Sequence, residues 1–163
     1  MAWTIPALLL LTASLVLGDD SECNIPPCGR IENYYPAYFH ACFGTTQAAI
    51  TAAGFPDSLC PIWNNNGILD GGGGPDPNQG KVPCLCWVLG PSAALTGVGG
   101  WSERRDVDWF TFHTIDYTVE WDRLIVSHPP RSVPASQYTK INSGETAVCI
   151  GVAGKPHCKI TLG

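Results

Sequence analysis

A mainly β fold, either an antiparallel sandwich or a barrel carrying a small disulfide-bound helical segment near its N-terminus, is predicted by three features of the sequence. The first is the stretch Asp106–Asp122, DVDWFTFHTIDYTVEWD. Every second residue from Val107 (Trp109, Thr111, His113, Ile115, Tyr117, Val119, Trp121) belongs to a mostly apolar set rich in aromatic and β-branched side chains, and the residues between them are mostly polar. Successive side chains of a strand point to opposite faces, so this period of two is the pattern of a half-buried sheet. The second feature is a series of short apolar runs bounded by glycine and proline. The third is the set of eight cysteines, an even number that in an exported chain reads as a disulfide framework.

In order along the chain, residues 1–18 read as a secretory signal peptide. Ala7–Leu17 is an apolar run of signal length, too short to span a bilayer, followed by Gly18 and the acidic pair Asp19-Asp20. Residues 19–163 then form one secreted domain, long enough to bury a core. All the cysteines lie in it, at Cys23, Cys28, Cys42, Cys60, Cys84, Cys86, Cys149 and Cys158. Eight cysteines allow about 105 pairings, which spacing alone does not resolve.

Residues 21–35 contain Cys23 and Cys28 around Pro26-Pro27 and predict an extended, stapled arm. Residues 37–43 suit either a short helix begun by Pro36 or a short strand. TTQAAITAA at 45–53 predicts a helix capped by Thr45 or Thr46 and stopped by Gly54 and Pro56, with Cys42 and Cys60 flanking it. Residues 64–80, NNNGILDGGGGPDPNQG, predict a long loop, since four consecutive glycines carry too much backbone entropy for a regular element. Gly80-Lys81-Val82 does not complete a phosphate-binding loop, and Asp70, Asp76 and Asn78 lack the closing glutamate of a calcium loop.

VPCLCWVL at 82–89 predicts a buried strand. In a strand Cys84 and Cys86 share a face, so each should reach a different partner. Residues 93–100 predict a small, glycine-rich connection. The alternating core that follows is too long for one strand, and its turn is expected at His113–Asp116. The strand continuing through 123–127 should stop at His128-Pro129-Pro130. Residues 132–138 read as irregular. Residues 147–153 and 158–162 predict two final strands joined around Gly154-Lys155-Pro156, with Cys149 and Cys158 close enough to bridge. The total is about five to seven short strands with one helix.

A net charge of −5 argues against nucleic acid and anionic membranes as partners. His40, His113, His128 and His157 lack helical metal-site spacing, so the sequence assigns no metal and no cofactor. Between Val98 and Leu162, the motifs VGGW and VEWDRLIV, then Cys149 and His157-Cys158 before KITL, resemble the cupredoxin class of small blue-copper proteins. That resemblance implies copper held by Cys149, His157 and His128. The chain departs from the class in its long Cys-to-His loop and in lacking a methionine after His157. The same region also resembles the paired repeats of DM9-type mannose-binding lectins. Pro91/Pro134, Thr96/Thr139 and Val98/Ile141 align two units, although the Tyr-Val-Gly-Arg signature of that family is missing.

Asp106, Asp108, Asp116, Glu120 and Asp122 provide carboxylates that could serve a small secreted hydrolase. A solvated sheet face explains them more simply, and no catalytic residue is assigned. The aromatic residues point elsewhere, because a planar ring beside polar groups is the usual surface for a sugar. Trp109 and Trp121 are expected in the core. Trp63, at the entrance to the glycine loop, and Trp101, beside Gly99-Gly100, are the candidate ligand-binding residues. The sequence therefore predicts a secreted, non-enzymatic extracellular binding or matrix protein whose partner is a glycan or other matrix component. The hydrolase and the cupredoxin-like copper protein are its alternatives.

Overall fold

The computed structural model describes residues 22–24, 26–63, 81–91, 96–122 and 127–163. The predicted leader at 1–18 and the glycine-rich loop at 64–80 lie outside the described residues. The strands are β1 (Arg30–Asn33), β2 (Phe39–Gly44), β3 (Leu59–Pro61), β4 (Lys81–Leu89), β5 (Thr96–Gly99), β6 (Trp109–Phe112), β7 (Tyr117–Asp122), β8 (Ser127–Val133), β9 (Thr139–Lys140), β10 (Glu145–Val152) and β11 (Lys155–Leu162). One helix, α1 (Gln47–Ala52), follows β2, and a single 3-10 turn (Trp101–Glu103) follows β5.

The strands form two sheets, one ordered β5-β1-β10-β11-β7-β8 and the other β3-β4-β2-β6-β9. Their inner faces share one core, in which Ile31, Ala147, Tyr117, Val119, Trp121 and Ile160 of the first meet Phe39, Ala41, Phe110 and Phe112 of the second. This fits the predicted class of β-sandwich or barrel. Most pairings are antiparallel, but β1 runs parallel to β10 and β11 parallel to β7. The strand number exceeds the sequence-based expectation because β1, β3, β5, β6 and β9 have four residues or fewer. Two to four residues cannot display a periodicity.

The alternating stretch does break where expected, at the bend after Phe112, but it does not form a hairpin. β6 and β7 belong to different sheets, so the chain turns a corner of the sandwich there. The corner reverses the parity of the buried face. Phe110 and Phe112 are fully buried in β6, whereas Tyr117, Val119 and Trp121 are buried in β7. Trp109 accordingly leaves the inter-sheet core and packs half-buried against a second cluster outside it.

Tyr117 locks this corner from within. Its ring packs 5.8 Å from that of Phe110 and 5.4 Å from that of Phe112. Its hydroxyl lies 2.8 Å from Thr139 Oγ1, 2.8 Å from the Gln137 carbonyl and 3.2 Å from the Phe110 carbonyl. Burial holds this phenol well above its ordinary titration range, so it stays a neutral donor. Tyr117→Phe leaves the ring in place but strands those acceptors. It is expected to lower unfolding free energy by about 1–3 kcal/mol in urea denaturation.

Other elements follow from local chemistry. Thr46 caps α1 by accepting the Ala49 N–H, and Gly54, at φ 84°, ends the turn that follows. Of residues 37–43, the strand option holds for 39–43, within β2. The stapled N-terminal arm is more integral than predicted, since β1 lies between β5 and β10. His128-Pro129-Pro130 does not stop β8, because β8 is an edge strand where proline's missing N–H need not serve a neighbour. The β10–β11 hairpin turns at Ala153-Gly154, both at positive φ (49° and 79°), as a two-residue loop on twisted strands requires.

Candidate functional site

The outer face of the five-stranded sheet carries a candidate site. In β2, Phe39 and Ala41 point into the core, which sends His40 and Cys42 outward. Cys42 stands opposite Cys86 of β4 and is bridged to it. Cys84, two residues before Cys86 and on the same face, is bridged instead to Cys60 of β3. The expectation that Cys84 and Cys86 serve different partners therefore holds. Cys42 and Cys60, which flank α1, are both bridged to β4, so the segments on either side of the helix are tied to that strand. Cys149–Cys158, directly opposite in the β10–β11 hairpin, and Cys23–Cys28 complete the set.

Cys42, Cys60 and Cys84 form a compact outer cluster with Ile62 and Tyr138. The sulfurs of Cys42, Cys60 and Cys86 lie within 4.8 Å of one another. All three are oxidised in bridges, so they offer no thiolate to a metal. Beside them opens a cleft of about 240 Å³ lined by His40, Phe55, Ser58, Leu85, Cys86, Val88 and Tyr138. Phe55 and Val88 are 60% and 61% exposed, which leaves apolar surface on the wall of the cleft uncovered.

The polar side of the cleft is a connected chain of side chains. His40 Nδ1 lies 3.3 Å from the Tyr138 hydroxyl, which is itself 4.0 Å from Cys86 Sγ. The His40 ring stacks on that of His113 at 5.3 Å between centroids, parallel within 8°. His113 in turn has its Nδ1 3.0 Å from Ser136 Oγ, which donates to the His113 carbonyl at 2.9 Å. Ser58 donates to the Cys84 carbonyl at 2.7 Å and keeps its lone pairs free to accept. Burial, followed by the neighbouring His113, lowers the pKa of His40, and burial raises that of Tyr138. Near neutral pH the cleft thus presents a neutral imidazole, a phenol and a hydroxyl beside exposed apolar surface. Such a set can donate and accept hydrogen bonds without demanding a charged ligand.

The two tryptophans chosen from the sequence are not brought together. Trp63 is 3% exposed and belongs to the inter-sheet core. Its backbone N–H donates to the Tyr138 carbonyl at 2.7 Å, which draws the chain back toward β9 and encloses the ring. Burial overturns its reading as an open stacking surface. Trp101, in the 3-10 turn, is 52% exposed as expected. Gly99 and Gly100 before it adopt φ of 92° and 87°, which favour glycine, and a side chain at Gly99 would strike the Gly29 carbonyl.

The carboxylates are engaged separately. Asp106 accepts the Gly29 N–H at 2.6 Å, Asp108 the Gly44 N–H at 2.7 Å and Asp116 the Ala135 N–H at 2.9 Å. Glu120 faces His157 at 3.5 Å and Asp122 pairs with Lys159 at 2.6 Å, both between β7 and β11. Cys149, the thiolate that a cupredoxin-like centre would need, is bridged to Cys158.

His40, Phe55 and Tyr138 were missed by sequence reasoning, although one signal was available. His40 is two residues from Cys42 and so must share its face in a strand. No known protein family, curated protein or solved structure matches the chain.

Proposed function

We propose that the chain is an exported, non-enzymatic binding domain and that the His40–Phe55–Tyr138 cleft receives a sugar ring of an extracellular glycan or matrix polysaccharide. The observation that carries this reading is the pairing, in one cleft, of the exposed Phe55 ring with the hydroxyl and imidazole groups of Tyr138, Ser58 and His40. A pyranose has the matching halves, an apolar face of C–H groups and a rim of hydroxyls. The volume of about 240 Å³ is below the ~300–1,000 Å³ usual for drug-sized ligands, which suits one ring of a longer chain. Export is supported by the four bridges, which join all eight cysteines, since such frameworks persist in oxidising compartments. It is also supported by the apolar run at 7–17.

A glycan array with the oxidised protein, followed by calorimetry on the best neutral ligand, tests the proposal. Phe55→Ala should weaken binding by about 5- to 150-fold, the equivalent of one lost aromatic stacking contact. Trp101→Ala should leave it unchanged. Full affinity in Phe55→Ala and His40→Ala, or loss of binding in Trp101→Ala, would place the site elsewhere.

A further inference from the structure

We infer that proton uptake at His40 and occupancy of the cleft oppose each other, so that the site binds more tightly at neutral pH and loses affinity on acidification. This rests on reading the cleft as a binding site. His40 is a half-buried wall of the cleft, and a ligand filling it would remove much of the water the ring still meets. An imidazolium enclosed in that way needs a counter-charge. Among the described residues no carboxylate pairs with His40.

The groups around His40 favour its neutral form. On β4, Cys86 is locked in a bridge and Val88, directly opposite His40, is apolar. On β6 the opposing residue is Thr111. From the corner, His113 lies against the ring and would bring a like charge 5.3 Å away. Tyr138 contributes a neutral phenol, Ser136 holds His113 from the neighbouring turn, and Lys140 of β9, opposite Trp109, has a partner of its own. Asp57, exposed in the segment that supplies Phe55 and Ser58, is the nearest acid in sequence to the lining residues. Burial and His113 already hold His40 below the ordinary histidine range.

The linkage has a definite sign. Because its folded-state pKa is lowered, His40 contributes stability that is fully present above its unfolded value of about 6.5 and is lost as pH falls toward the folded one. A bound ligand, by desolvating the ring further, must lower that pKa again. By reciprocity, protonation must weaken ligand binding by the same factor.

The experiment is a histidine-resolved NMR titration of the intact oxidised protein from pH 8 to 4. It is run with and without a panel of neutral methyl pyranosides, with affinities measured in parallel at pH 7.5 and 5. In the free protein His113→Gln should raise the His40 midpoint. With a bound pyranoside the midpoint should fall, affinity should drop at pH 5, and His40→Gln should bind with little pH dependence. A His40 midpoint unmoved by His113→Gln, or equal affinity at the two pH values, overturns the inference and leaves the proposed function standing. Absence of pyranoside binding at both pH values overturns both.

Discussion

Replacing Cys42 and Cys86 together with alanine is expected to lower the stability of the fold by about 4 kcal/mol, the largest loss among the four bridges. The bridge closes a loop with a sequence separation of 44, against 24 for Cys60–Cys84, 9 for Cys149–Cys158 and 5 for Cys23–Cys28. If a bridge acts mainly by restricting the unfolded chain, the corresponding losses are about 3.4, 2.6 and 2 kcal/mol. Urea denaturation of the four double-alanine proteins would give the ranking directly. A Cys23–Cys28 loss equal to that of Cys42–Cys86 would show that native packing, not chain entropy, decides what each bridge contributes. The Cys42–Cys86 variant should also lose ligand binding, since Cys86 lines the cleft.

Trp63→Ala is expected to cost about 3–5 kcal/mol through the cavity left by a large ring. Trp63 is enclosed in the inter-sheet core at 3% exposure. Trp101→Ala, at a side chain 52% exposed, should change stability by no more than about 0.5 kcal/mol. Equilibrium unfolding of both proteins tests the two environments without knowledge of any ligand. A Trp101 substitution as damaging as that of Trp63 would mean that the 3-10 turn is packed more tightly than its exposure indicates.

The legible parts of this fold were those written in local chemistry. The cap at Thr46, the strand through Cys84 and Cys86, the break after Phe112 and the final hairpin all depend on residues within a few positions of one another. What alternation could not convey was that the chain changes sheets between Phe112 and Tyr117. Period two says only that faces alternate, and the corner decides which face is inside on each side of it. Trp109 was assigned to the wrong side for that reason. The parallel pairings of β1 with β10 and of β11 with β7 likewise have no local signature. The cleft depends on three distant segments meeting, around His40, Phe55 and Tyr138. Only the shared face of His40 and Cys42 could have pointed to it, and that required knowing that β2 was a strand.

The order of the six-stranded sheet also sets a timetable for biogenesis. β10 and β11, the last strands of the chain, occupy the middle of that sheet between β1 and β7. Until they arrive, β5–β1 on one side and β7–β8 on the other are separate two-stranded ribbons, each with an open edge. Two-stranded ribbons are marginal alone in water, and open edges invite pairing with other chains. Vectorial synthesis therefore delivers the keystone hairpin last, and the sandwich closes only once Lys155–Leu162 has emerged.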